Sequence, residues 1–84
     1  MSSIDEIVVV LQEALDKVGE AITSATTAES ETENLIAQME SAGVQDKAAE
    51  FASLKESIDG ARTQLMGGAE SVKQVIEQAR AGAG

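Results

Sequence analysis

The sequence predicts an all-α fold, an antiparallel two-helix hairpin that resembles a coiled coil. Two apolar repeats with alternating three- and four-residue spacing support this prediction, and a break containing glycine separates them. The first repeat comprises Ile4, Ile7, Leu11, Ala14, Val18, Ala21, Ala25, Ala28, Thr32, Leu35, Met39 and Ala42. The second comprises Phe51, Leu54, Ile58, Ala61, Leu65, Gly68, Val72, Val75 and Ala79. Each repeat places its side chains on one stripe of a helix, so each predicts a helix packed against a partner.

The first helix is predicted to span about residues 3–41. Ser3 precedes Glu6 by three residues, which is the spacing of a capping box at a helix start. The repeat also runs through the β-branched residues 7–10, and its length outweighs their preference for strands. The repeat stops near Gly43, which indicates the end of the helix. Glycine suits the left-handed conformation that follows a helix end, and Val44 can fold back on the last turn.

The second helix is predicted over about residues 46–80, after a turn at about 42–46. Asp46 is a suitable N-cap, because its carboxylate can accept a hydrogen bond from a free backbone N–H group of the first turn. Residues 81–84 are alternating Ala and Gly and are predicted to be a flexible tail. Residues 1–84 then form a single helical-hairpin domain.

Two helices of similar length joined by a short turn are expected to pack antiparallel. A turn near Gly43 brings together residues whose numbers add up to about 87. Glu29 would then lie within reach of Arg62 or Lys55. An ion pair there favours this register, although an exposed pair contributes only about 0–1 kcal/mol.

Three glycines, Gly19, Gly67 and Gly68, fall at one level of this hairpin. Glycine inside a helix costs about 1 kcal/mol relative to alanine, so the cluster predicts either a close approach of the two backbones or a hinge. An alternative treats Gly67-Gly68 as a second turn and gives a three-helix bundle. The apolar repeat keeps its phase from Leu65 to Val72, which favours the hairpin.

The composition argues against enzymatic chemistry. Cys and His are absent, so the usual nucleophile–base pairs and the commonest transition-metal ligands are missing, and Phe51 is the sole aromatic residue. We therefore expect no enzyme, no catalytic residues, no metal, no cofactor and no small-molecule substrate. Fifteen acidic residues against six basic ones give a net charge of −9, which repels nucleic acid.

Large apolar side chains gather at the open end of the hairpin, away from the turn, and Val9 and Val10 lie off the intrahairpin stripe. The waist from Ala21 to Thr32 is mostly Ala, Ser and Thr and is predicted to be thin. Exposed apolar surface costs about 25 cal/mol per Å², so the open end is expected to bind the protein itself or another helical protein, forming a larger helical bundle. The predicted interaction patch comprises Ile7, Val8, Val9, Val10, Leu11, Val72, Val75 and Ile76.

The apolar run at residues 7–11 is too short to cross a bilayer, which takes about 20 residues. It also lacks the basic residues and the cleavage site of a signal peptide. The sequence therefore predicts no membrane insertion, and either a cytoplasmic location or export without a cleaved signal peptide.

The opening Ser3-Ile4-Asp5-Glu6-Ile7, followed by Leu11 and Ala14-Leu15, resembles small actinobacterial helical-hairpin proteins of uncharacterised function. The overall shape is also similar to the hairpin substrates and partner proteins of type VII secretion systems. The Trp-Xaa-Gly turn of that family is absent, and Ser41-Ala42-Gly43 stands in its place. The resemblance implies a small helical protein that pairs with itself or with a helical domain of a larger effector.

These observations predict a non-enzymatic helical interaction protein. It would act as a partner, adaptor or chaperone-like subunit for a larger protein, such as a secreted effector, or as a homo-oligomer. The alternative is a structural subunit of a filament or shell, which would differ by forming open-ended assemblies.

Overall fold

The computed structural model describes residues 3–83 and consists of two α-helices joined by a tight turn. Helix α1 spans Ser3–Ser41 and helix α2 spans Gln45–Ala83, each 39 residues long. The helices contact each other along a hairpin that measures 62 × 15 × 12 Å. The predicted all-α hairpin is therefore confirmed.

The turn follows the geometry that the sequence predicts for a glycine-terminated helix. Gly43 has a φ of 81°, in the left-handed region. The Val44 N–H donates to the Met39 carbonyl at 2.9 Å, and the Gly43 N–H donates to the Glu40 carbonyl at 3.1 Å. This pair of hydrogen bonds defines a Schellman motif, which satisfies carbonyls that the end of α1 would otherwise leave free.

Helix α2 begins one residue earlier than predicted. The Ala48 N–H donates to the Val44 carbonyl at 3.1 Å, so Val44 occupies the N-cap position. The prediction of Asp46 as the cap was wrong, because the Schellman turn leads the chain directly into the helix and leaves Asp46 in the first turn. There the helix dipole still favours its negative charge.

The C-terminal end of α2 also differs from the sequence prediction. The sequence predicts a flexible tail over residues 81–84, but residues 81–83 continue the helix as far as Ala83. Gly84 lies outside the described residues.

The seam between the helices follows a seven-residue repeat. In α1 its members are Ile4, Val8, Leu11, Leu15, Val18, Ile22, Ala25, Glu29, Thr32, Ile36 and Met39, all buried or half-buried. In α2 they are Ala48, Phe51, Lys55, Ile58, Arg62, Leu65, Ala69, Val72, Ile76 and Ala79, again buried or half-buried. Pairing these positions antiparallel joins residues whose numbers add up to about 87, in agreement with the predicted register.

Every second residue of each predicted stripe nevertheless lies outside the seam. Ile7 and Leu35 in α1 are 52% and 42% exposed, and Leu54 and Val75 in α2 are 45% and 47% exposed. The following residue occupies the seam in each case. Apart from the polar seam residues Glu29, Thr32, Lys55 and Arg62, both helices carry apolar residues at three positions of every seven, whereas a two-helix seam covers only two of them. The spacing alone could not show which position would stay outside.

The glycine cluster neither breaks the helix nor draws the backbones together. Helix α2 runs without interruption through Gly67 and Gly68, so the three-helix alternative is wrong. A Cβ added at Gly19, Gly67 or Gly68 would meet no atom of the described chain within 4 Å. The predicted close approach is therefore absent at these positions, and the hinge stays a prediction.

Candidate interaction surface

A polar layer crosses the seam at the waist of the hairpin. Glu29 and Thr32 are the polar residues of α1 that are buried, with 9% and 6% of their surface exposed. The Thr32 hydroxyl donates a hydrogen bond to the Ala28 carbonyl at 2.7 Å, so its partner lies within its own helix. Glu29 instead faces α2, where its Oε2 lies 3.5 Å from Arg62 Nε. The predicted contact between Glu29 and Arg62 is confirmed.

The rest of the polar layer consists of two further ion pairs. Arg62 Nη2 donates to Asp59 Oδ1 at 2.7 Å, and Lys55 Nζ lies 3.0 Å from Glu33 Oε1. Lys55 therefore pairs with Glu33 instead of Glu29. The chain has only six basic residues, and two of them link α2 to α1 at this level. Ion pairs as well as small apolar residues join the two helices at the waist.

The pKa values of Glu29 and Asp59 shift in opposite directions. Burial raises the pKa of Glu29, and the neighbouring carboxyl group of Asp59 acts in the same direction. The hydrogen bond from Arg62 lowers the pKa of Asp59. Glu29 Oε1 is buried and has no hydrogen-bond partner among the described residues, so Arg62 offsets only part of the cost of burying this charge.

This polar layer opens to one side of the hairpin. Side chains of both helices line a cleft of about 410 Å³ there, and they are Thr26, Glu29, Ser30, Glu33, Lys55, Glu56, Asp59 and Arg62. Charged groups of both signs and two hydroxyls make the cleft hydrophilic. We call this side of the hairpin the polar face.

The opposite side is the apolar face, which we define as every seventh residue from Ile7 to Leu35 in α1 and from Leu54 to Val75 in α2. Each member precedes a seam residue, so it lies on the flank of the seam away from the polar cleft. All nine members are Ile, Val, Leu, Ala or Gly, and all are exposed except the half-buried Ala21 and Ala28. No charged side chain occupies these positions.

The structure divides the predicted interaction patch between seam and surface. Val8 and Ile76 are buried between the helices, with 8% and 4% of their surface exposed, so they are not free to bind a partner. Leu11 and Val72 are half-buried seam residues. The exposed members are Ile7, Val9, Val10 and Val75, with 52%, 55%, 61% and 47% of their surface exposed.

The exposed members of the patch do not all lie together on the surface. Ile7 and Val10 line a shallow, mostly apolar groove of about 350 Å³ with Leu11 and the side chain of Glu6. Val9 projects from a different side of α1, because consecutive residues are 100° apart around a helix. Sequence reasoning identified the exposed valines but missed the turn-end residues Leu35 and Leu54, because it assigned them to the seam.

Over residues 3–83, neither helix contains a stretch long and apolar enough to cross a membrane. In the same part of the chain, no three His, Cys, Asp or Glu side chains come together to hold a metal ion.

Comparison with protein-family models, with curated proteins and with solved structures gives no match to this chain.

Proposed function

We propose that this chain is a non-enzymatic helical interaction protein, which binds a second helical chain through apolar side chains outside its own seam. The observation that carries the proposal is the exposure of Ile7, Val9, Val10 and Val75 at the open end, each between 47% and 61%. A single helical hairpin offers these side chains no cover. Ile7 and Val10 share one shallow groove, and exposed apolar patches on small proteins are typical of interaction sites.

The seam also supports the proposal. Among the described residues, the buried hydrophobic residues are Val8, Ala48, Ala69 and Ile76, and no large side chain is fully buried. Chains of this size need reinforcement, since a single small core leaves little net stability. With no cysteine for a disulfide, burial against another chain is the available source.

The test compares the protein with a charge insertion at the open end. Val10→Lys places a charge in the shallow groove, and Ser24→Lys is the matched control because residue 24 is exposed at the same position of the seven-residue repeat. We expect Val10→Lys to weaken association and Ser24→Lys to leave it unchanged. Association is measured by sedimentation of the protein alone and by titration with purified proteins encoded beside it.

A helical chain that stays monomeric at every concentration and binds none of those proteins would contradict the proposed function. The filament alternative predicts something different, because a subunit with a non-closing interface forms open-ended assemblies. Electron microscopy of concentrated protein distinguishes it from a closed oligomer or a complex with a partner.

A further inference from the structure

We propose that the apolar face binds a second copy of this chain, so that two hairpins form a four-helix bundle. This inference rests on the proposed function, because it names the partner that such an interaction protein would take. The two copies would lie face to face along their full length, with the turns at the same end. The polar face of each hairpin would remain in water.

The spacing of apolar residues is the first support for this arrangement. A helix in a two-stranded coiled coil needs apolar residues at two positions of every seven, whereas a helix in a four-helix bundle contacts two neighbours and needs a third. Here the third position is apolar in every repeat from Ile7 to Leu35 and from Leu54 to Val75. A hairpin that remained alone would gain nothing from this pattern.

The available area matches that of a stable interface. At 1.5 Å per residue the apolar face is about 42 Å long between Ile7 and Leu35, and two helices with their side chains are about 20 Å wide. These dimensions give about 800 Å² per copy, which is the area that a standard protein interface buries on each partner.

The charge distribution indicates which face of each copy forms the interface and how the two hairpins are oriented relative to each other. Helix α1 carries nine acidic residues and Lys17, whereas residues 42–84 carry six acidic and five basic residues. Two copies therefore repel least when each α1 lies over the partner's α2 and the uncharged faces meet. That arrangement requires the turns to be at the same end, because opposite ends would place α1 over α1.

The side-chain sizes along the apolar face fit a face-to-face pairing in either orientation, so the charges alone decide between the two orientations. Large residues lie at the ends of the face, with Ile7 and Val75 at the open end and Leu35 and Leu54 near the turn. Alanine or glycine occupies the five positions between them, which are Ala14, Ala21 and Ala28 in α1 and Ala61 and Gly68 in α2. With the turns at the same end or at opposite ends, large residues of one copy meet large residues of the other, and the small residues let the helices come close at the waist.

The experiment is sedimentation equilibrium of the full chain from about 2 to 500 µM, a range that covers weak and strong association. We expect a dimer of twice the 8.7 kDa chain mass. Leu54→Lys should raise the dissociation constant by about 30-fold or more, as expected when a charge replaces a large apolar anchor of an interface. Met66→Lys is the matched control, because Met66 is 53% exposed on the same helix but away from the apolar face.

Circular dichroism of each variant shows whether the hairpin still folds, and Ala14→Lys on α1 repeats the test if Leu54→Lys loses helix. Equal weakening by Leu54→Lys and Met66→Lys would overturn the inference. A monomer at all concentrations would also overturn it, while a monomer that binds another protein through Val10 would leave the proposed function standing. If Val10→Lys weakens dimerisation and Leu54→Lys does not, the inference that the apolar face binds the second copy is rejected. The proposed function would still stand.

The orientation is tested by disulfide cross-linking, because the chain has no cysteine of its own. Single variants Ala28→Cys and Ala61→Cys place one thiol on the apolar face of each helix. When α1 lies over the partner's α2, oxidation of the mixture should give a disulfide-linked dimer in higher yield than oxidation of either variant alone. Efficient linkage of Ala28→Cys to itself would instead place α1 over α1 and overturn the proposed orientation.

Discussion

Replacement by alanine should change the stability of the hairpin in opposite directions at two glycines, Gly67 and Gly43. Gly67 lies within α2, is exposed, and has room for a Cβ, since no described atom lies within 4 Å of that position. Gly43 also has room, but its φ of 81° is one that residues with a Cβ rarely adopt. Space is therefore available at both positions, and only the backbone conformation differs.

The expected magnitudes follow from this difference. Gly67→Ala should stabilise the hairpin by about 0.5–1 kcal/mol, because alanine is the better helix former. Gly43→Ala should destabilise it by about 1–2 kcal/mol, because the left-handed conformation brings Cβ too close to the next carbonyl. For a chain of this size 1 kcal/mol corresponds to about 4–8 °C in Tm. Both substitutions change the unfolded chain in the same way, so the contrast between them measures the folded conformation.

The assay is urea unfolding followed by circular dichroism at one fixed protein concentration, since association would make stability depend on concentration. The reasoning is refuted if Gly67→Ala lowers the free energy of unfolding. That result would mean that the backbones do approach at this level or that the helix opens at Gly67. A neutral or stabilising Gly43→Ala would refute the assigned turn.

Two further predictions concern the seam. Ile76→Ala should cost about 2–4 kcal/mol because its side chain is buried, whereas Val9→Ala should change stability by about 0.5 kcal/mol or less because Val9 is exposed; urea unfolding measures both. Glu29→Gln should raise Tm at pH 7, since burial raises the pKa of Glu29 above its unfolded value and the fold therefore favours the neutral form. The advantage should shrink as the pH falls and Glu29 of the native chain becomes protonated, which thermal unfolding between pH 7 and pH 4 would show. Glu31→Gln is the control, because Glu31 is exposed on the same helix. A lower Tm for Glu29→Gln at pH 7 would mean that attraction to Arg62 outweighs the cost of burial.

The sequence predicted the elements of the fold because their signals are local. Gly43 marks the turn, since a Schellman motif depends on a few consecutive residues, and the long apolar repeats identify the helices. The antiparallel register follows from helix length and turn position, and the predicted contact between Glu29 and Arg62 is present at 3.5 Å. The prediction of Asp46 as the N-cap was wrong because the N-cap position depends on how the turn leads into α2.

Which apolar residues form the seam could not be read from spacing. Ile7 and Val8 are neighbours with similar side chains, and either could continue a three-four repeat from Ile4. In the folded hairpin Val8 is 8% exposed and Ile7 is 52% exposed. The same difference separates Val75 from Ile76, so half of the predicted interaction patch was assigned to the wrong side of its helix.

The sequence by itself determined that this chain forms two long helices, where they turn and in which direction they pair, because each of these depends on the local pattern along one chain. The tertiary structure decided which two of the three apolar positions in every seven face inward. That choice depends on how both helices rotate about their axes to place Glu29 beside Arg62 and Val8 and Ile76 in the seam. It also determines the apolar face, which consists of the third apolar position of each repeat, the one that the seam leaves outside.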